Sequence, residues 1–315
     1  MNFRSYFLLY PCIFSFFKEK KKKDTASIRA RAFLFKINIM EKFTLELLFQ
    51  IIGIGSASGL IHKDDSLFII SDNSSFLYEY SIKEKELHTV KLFENSLENI
   101  PKKDKFDFES ITQKGNKLYL FGSGSTPKRN KRLSYDLTSE AIEEKDLSSI
   151  YDKLKQHASI SDDDLNIEGA LFHNEKWHLF QRGNGAQSKN GIFIFNKEGN
   201  DIHFFPIPLP KIQNIEATFT DAILVENKIY FLAAVENTTS TYDDGEVLGS
   251  FIGALTIDNF QTEFTQEISQ THKFEGLTLY NNSKEKIEFL LCEDKDTEAL
   301  ETDIYKLTLD KNFKN

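Results

Sequence analysis

The sequence predicts an all-β protein, a five-bladed β-propeller closed by an N-terminal strand. A three-residue motif returns at blade-length intervals. A strand-like run follows it at a fixed offset. The composition agrees: 29 Phe and 11 Tyr, against 15 Gly and 6 Pro in 315 residues, favour sheet over helix or linker.

The motif reads Ser58-Gly59-Leu60, Glu109-Ser110-Ile111, Glu168-Gly169-Ala170, Thr220-Asp221-Ala222 and Glu275-Gly276-Leu277, at spacings of 51, 59, 52 and 55 residues. β-rich runs follow at 67–70, 118–121, 177–180, 229–232 and 287–291. The offset is nine residues four times and twelve in the last unit, where 281–283 read as an insertion. Third strands are expected at 76–80, 132–137, 191–195, 251–257 and 303–309. Fourth strands are legible at 87–92, 201–207 and 261–268. Four antiparallel strands in about 50 residues make one propeller blade. The last unit ends after its third strand, so the orphan segment 43–51 is expected to supply the fourth and leave no open sheet edge.

Blade 2 lacks a clear fourth strand. Residues 147–157, with Ile150, Tyr151 and Leu154 at helical spacing, read as a short amphipathic helix. Segment 205–210 alternates proline and reads as an extended connector. Trp177 is expected as core between blades. A six-bladed propeller and a two-sheet sandwich are the alternatives, and the repeat register argues against the sandwich.

Residues 1–39 carry nine Lys/Arg against two Asp/Glu, and the rest carries 30 against 46. The acidic body argues against nucleic-acid binding, which needs a basic face. No apolar run is long enough to span a membrane. Two cysteines, Cys12 and Cys292, exclude a disulfide framework and a cysteine-built zinc site. The basic segment 1–39 has an apolar stretch at 6–17, but five lysines in 18–23 stand where a signal-peptide cleavage site belongs. The patterned sequence starts just after Met40, so 40–315 is read as a single propeller domain. The expected location is cytoplasmic, with export as the alternative if 1–39 acts as a signal. A monomer is expected.

In a propeller the first strand of each blade lines the central channel. Ser58, Glu109, Glu168, Thr220 and Glu275 should therefore form a ring. Converging carboxylates repel and raise one another's pKa, and a bound cation relieves this. An all-oxygen donor set suits Ca²⁺, or Mg²⁺, rather than zinc. The alternative is that the glutamates only hydrogen-bond neighbouring strand starts.

These motifs, with Phe108-Glu109-Ser110, Ile167-Glu168-Gly169 and Phe274-Glu275-Gly276-Leu277 among them, resemble the EG-motif propellers of bacteria, the phytase-like or esterase-like group. The ring order Ser, Glu, Glu, hydroxyl, Glu also resembles the five-bladed calcium-activated nucleotidases, or apyrases. That resemblance implies Ca²⁺ in the tunnel, with Thr220 standing where that family has Ser.

Loops after the second strands should overhang the ring. In 122–129, Ser123 and Ser125 precede Lys128 and Arg129, a composition suited to clasping phosphate or carboxylate. Arg182 and Asn184 occupy the next rim loop, and Asp72, Glu236 and Glu293 begin others. Acidic 242–246 and 293–296 read as a second cation clip or as solvated turns. His272 stands near the tunnel mouth. No serine lies in a nucleophile elbow.

Two function classes follow. In one, a metal-dependent hydrolase acts on a small anionic ester or anhydride. The ring holds the metal, Arg129 and Arg182 neutralise charge, and Glu236 takes the proton. Ser123, Ser125, Lys128, Asn184, Asp72 and Glu293 contact substrate. In the other, a non-catalytic binding propeller uses the same Ca²⁺ as a staple.

Overall fold

The computed structural model describes residues 43–311 except 242–244 and 296–298, so the N-terminal segment 1–39 lies outside the described residues. Strand β1 (Phe43–Ile52) opens the described chain. Blade 1 comprises β2 (Ala57–Lys63), β3 (Ser66–Ser71), β4 (Phe76–Ser81) and β5 (Glu86–Lys91). Blade 2 comprises β6 (Phe108–Lys114), β7 (Lys117–Gly122), β8 (Lys131–Asp136) and β9 (Ile142–Asp146). Helix α1 (Ser148–Ala158) follows, then blade 3 with β10 (Ile167–His173), β11 (Lys176–Gln181), β12 (Gly191–Asn196) and β13 (His203–Pro206). A small hairpin, β14 (Lys211–Ile212) and β15 (Ile215–Glu216), leads into blade 4. That blade comprises β16 (Thr218–Val225), β17 (Lys228–Asn237), β18 (Glu246–Thr256) and β19 (Thr262–Ser269). Blade 5 comprises β20 (Phe274–Asn282), β21 (Lys286–Glu293) and β22 (Glu301–Asp310).

The protein is a five-bladed propeller. Each blade is an antiparallel sheet of four strands, and β1 pairs with β22 to complete the fifth. The first and last strands of the ring thus share one sheet. The innermost strands β2, β6, β10, β16 and β20 pack in sequence, and β20 returns to β2. No helix among the described residues is long and apolar enough to cross a membrane.

The apolar core is divided rather than central. Five clusters each lie between two neighbouring blades, because every sheet is apolar on both faces near the axis. Trp177 fills the gap between blades 2 and 3, edge-on to Tyr119, Phe121 and Phe172. Tyr151 of α1 enters the same cluster, and its hydroxyl donates to the Gly122 carbonyl at 2.8 Å. Gly124 makes room for it, since a Cβ there would lie 2.7 Å from the Tyr151 ring.

Two expectations need correction. Blade 2 does have a fourth strand, β9, whose charged Ile-Glu-Glu-Lys-Asp sequence hides the alternation because it lies at the solvent-facing edge. The proline-rich connector begins later than expected, as Phe205 and Pro206 still pair with β12.

The motif has a structural meaning in all five blades. The pairing of the first two strands slips between Ala57 and Gly59, Phe108 and Ser110, Ile167 and Gly169, Phe219 and Asp221, and Phe274 and Gly276. The skipped residue is the first motif residue every time: Ser58, Glu109, Glu168, Thr220 or Glu275. A β-bulge re-aims one side chain and sharpens the local twist. The residue after it must tolerate close approach of the next blade. At Gly276 an added Cβ would meet Gly59 Cα at 3.0 Å.

Candidate functional site

The bulges bring three of the five ring residues together. One guanidinium nitrogen of Arg182 lies 3.1 Å from Glu168 Oε1 and 3.8 Å from Glu275 Oε1, so these two carboxylates meet across it. Glu109 is close enough for its charge to be felt with those of Glu168 and Glu275. The two hydroxyls behave differently. Ser58 Oγ donates to the Phe108 carbonyl and Thr220 Oγ1 to the Phe274 carbonyl, both at 2.6 Å. Each tethers its blade to the strand start of the next. The five donors expected around one ion are thus engaged differently: the two hydroxyls donate to buried carbonyls, while Glu168 and Glu275 meet cations of the chain itself.

Those cations sit on blades 3 to 5. Arg182, buried just past the end of β11, pairs with Glu168 and with Glu236, and its Nε donates to Thr218 Oγ1 at 3.3 Å. Lys273, just before β20, lies 3.0 Å from Glu275, 3.3 Å from Glu236 and 3.6 Å from Asp294. Burial opposes both positive charges, but the surrounding carboxylates outweigh it and hold both pKa values well above the ordinary range.

The side formed by blades 1 and 2 is more acidic. Carboxylate oxygens of Asp72, Asp107 and Glu109 lie within 4.8 Å of one another. Asp107 is held by Arg129 at 2.7 Å and accepts from Ser123 Oγ at 2.5 Å. Asp72 pairs with Lys105. Burial pushes the Asp72 carboxyl up to about 7, against the pull of Lys105. Glu109 makes no hydrogen bond and no salt bridge among the described residues. Burial first, then the charges of Glu168, Asp107, Asp72 and Glu275, drive its pKa well above that of an ordinary carboxyl.

Seven carboxylates (Asp72, Asp107, Glu109, Glu168, Glu236, Glu275 and Asp294) thus face four cations, Lys105, Arg129, Arg182 and Lys273. Among these described residues, full ionisation leaves an excess of three negative charges.

The other expected residues fall into two groups. Ser125 accepts from Arg129 at 2.7 Å, and Asn184 faces Asn166 and the Ser240 carbonyl at 3.4 Å, so both border the mouth. Lys128 instead turns outward to Asp104 at 2.7 Å, being exposed on a one-turn helix whose other cation, Arg129, points inward. Glu293 accepts from the Tyr305 hydroxyl at 3.2 Å, within blade 5. Glu236 is not in a loop, since β17 runs on to Asn237. Its two oxygens face Arg182 and Lys273. His272 bonds Ser269 at 2.6 Å and stacks on Phe274. The acidic stretch at 242–244 lies outside the described residues, as does Asp296.

Sequence reasoning missed Lys105, Asp107 and Lys273, while Asp294 was marked only as part of the acidic stretch 293–296. A signal existed. Residues two before each bulge are Ser56, Asp107, Asn166, Thr218 and Lys273, all polar. Across from four of them, the main-chain N–H of Asp72, Ser123, Arg182 and Asp294 donates to the carbonyl of Ser56, Asp107, Asn166 and Lys273. Each blade thus presents a second polar tier above the motif.

With this geometry in place, the comparisons with known proteins give a fold and a family. Residues 53–309 match the model of DUF6929, a family of unknown function, and the chain belongs to that family. No curated protein matches it in sequence. Among solved structures it is similar to the major allergen Mala s 1 of Malassezia sympodialis, at 11 % identity and a TM-score of 0.53, covering 84 % of this chain and 97 % of that one. An exo-1,5-alpha-L-arabinanase from a bovine ruminal metagenomic library aligns at 8 % identity and a TM-score of 0.49, covering 84 % and 98 %. A luciferin-regenerating enzyme aligns at 10 % and 0.46, covering 86 % and 97 %. The likeness to Mala s 1, at 11 % identity, concerns the fold alone. The family match does not extend to the phytase-like or esterase-like group.

Proposed function

We propose that the protein binds a divalent cation, Ca²⁺ or Mg²⁺, at the mouth of its channel, with Asp72, Asp107 and Glu109 as carboxylate ligands. In this reading the cation activates water for hydrolysis of a small ester or anhydride. The observation that carries the reading is Glu109, the one ring glutamate without a hydrogen bond or salt bridge among the described residues, beside two further carboxylates. Hard oxygen donors and an uncompensated negative charge suit such an ion. The site differs from the sequence expectation in position. It lies toward blades 1 and 2, because Arg182 and Lys273 already neutralise Glu168 and Glu275.

The anion-clasping roles expected of Arg129 and Arg182 change accordingly. Their donors are engaged by Asp107 and Ser125, and by Glu168, Glu236 and Thr218. They position carboxylates, and an anionic substrate would be drawn by the metal itself. Both oxygens of Glu236 already face cations, so neither is left for the reaction.

A second reading, a non-catalytic propeller with a structural ion, is favoured by one observation. Ion pairs at the mouth cross between blades: Arg182 of blade 3 and Lys273 of blade 5 both hold Glu236 of blade 4. The test is calorimetric titration of Ca²⁺ and Mg²⁺ into wild type and Glu109→Gln, with a phosphoester, anhydride and lactone panel run with and without EDTA. Binding lost in the variant, with EDTA-sensitive turnover, supports the hydrolase. Binding without turnover leaves the staple. No heat at millimolar cation sinks both.

A further inference from the structure

We infer that the Lys105 ammonium is the resident counter-ion of the cation site, and that a divalent cation enters by displacing it from Asp72. This rests on the cation reading above and adds what controls occupancy and selectivity.

Lys105 is not part of any blade. It stands in the connector 92–107 between β5 and β6. That connector is fastened at several points. Ser75 N–H donates to the Leu97 carbonyl at 3.0 Å, Leu97 N–H to Ser75 Oγ at 2.8 Å, and Ile100 N–H to the Asn73 carbonyl at 2.8 Å. Farther along, the Lys102 carbonyl accepts from Arg129 at 3.2 Å, and Phe106 stacks on Phe93 with ring centroids 4.3 Å apart. The backbone carrying Lys105 is thus fixed, while its flexible four-carbon stem remains the adjustable part.

The ammonium binds one oxygen of Asp72, and Asp72 lies within 4.8 Å of Asp107 and Glu109, ligand atom to ligand atom. Among the described residues two cations face these three carboxylates, Lys105 on Asp72 and Arg129 on Asp107, which leaves Glu109 without one. The other Asp72 oxygen, Oδ1, is buried and has no hydrogen-bond partner. A buried acceptor left open beside Glu109 is what an incoming cation would satisfy. Lys105 has an exit, because its side chain is 15 % exposed.

Charge then sets selectivity. Exchanging the ammonium for a monovalent ion gains no charge, whereas a divalent ion adds one against the same carboxylates. The wild-type site should reject Na⁺ and K⁺ and accept Ca²⁺ or Mg²⁺.

The experiment is calorimetric titration of CaCl₂ into the full chain, wild type and Lys105→Met, with folding of both confirmed by circular dichroism. The expected result is affinity about tenfold higher or more in the variant, since the ion no longer competes with a tethered charge. Equal or weaker affinity overturns the role of Lys105 and leaves the cation site standing. Absence of binding in both folded proteins overturns the cation site and this inference with it. A measurement on wild type guards against a variant that does not fold. Amine acetylation read by mass spectrometry should be several-fold faster at Lys105 with Ca²⁺ than without. An unchanged rate at saturating Ca²⁺ refutes displacement.

Discussion

Arg182→Met tests the electrostatic account of the channel most directly. The guanidinium side chain is 6 % exposed and faces Glu168, Glu236 and Glu275. Methionine keeps the apolar stem and roughly the volume, so the cavity term is small. What remains is a set of buried carboxylates with only Lys273 nearby. Breaking a buried ion pair from one side costs about 3–5 kcal/mol. For a propeller of this size, at about 2 °C per kcal/mol, that corresponds to a fall in Tm of roughly 6–10 °C. The loss should depend on pH. Burial already raises the Glu168 and Glu275 carboxyls in the wild type, and without the guanidinium they hold their protons to still higher pH, where the unfolded chain has released them. Folded variant then binds more protons than unfolded, so its stability declines as pH rises above the ordinary Glu range. The gap from wild type should be small at pH 5 and widest at pH 8. Differential scanning fluorimetry at four pH values reads this, and adding Glu168→Gln to the variant should recover part of the loss. A variant within about 2 °C of wild type across that range, a difference of about 1 kcal/mol, would show that the three glutamates do not depend on Arg182.

Three further outcomes are expected. Gly276→Ala places a Cβ 2.5 Å from Cys292 Sγ and from Leu60 Cδ2, and 3.0 Å from the Gly59 backbone. It should lose about 1–3 kcal/mol in urea unfolding, and an unchanged midpoint would refute the tight blade 5–blade 1 seam. Asp221 is buried and accepts from the N–H groups of Leu277 and Ala222, both at 2.7 Å, yet burial still raises its carboxyl well above the ordinary range. Folded protein therefore keeps this proton while unfolded chain loses it, and stability falls as pH climbs above the usual Asp value. Asp221→Asn should flatten that slope by up to about 1.4 kcal/mol per pH unit; identical slopes would count against it. Removing 43–52 bares the β22 edge and the apolar cluster beneath Phe43, Leu45 and Ile51. Size-exclusion chromatography should show aggregation instead of a monodisperse peak, and a stable soluble truncation would contradict closure by β1.

The blade number, the order of strands and the closing role of segment 43–51 were legible because they are repetitive and local. A strand's period-2 alternation needs no knowledge of its neighbours, and five returns of one motif fix the spacing of the sheets. Strand β9 was not legible, since an outer edge strand such as Ile142–Asp146 has little to bury and loses its alternation. The same logic held at the site. Glu109, Glu168 and Glu275 could be picked out as converging residues, because equivalent positions in a closed ring must face one axis.

Arg182 could be placed on the rim, but its pairing could not be read, and Lys105 and Lys273 were not picked out at all. The cations come from places the motif does not mark: Lys105 from a connector, Arg182 from just past the end of a second strand, Lys273 from two residues before a bulge. The bulge itself leaves no trace in composition, yet it decides which side chain turns inward. By itself the sequence determined a ring of five blades and the acids that line it. Only the tertiary structure decided which of those acids are neutralised and that Glu109 is left over. Pairing depends on a few ångströms between residues far apart in the chain, and Coulomb energy at that range is set by position rather than by residue type.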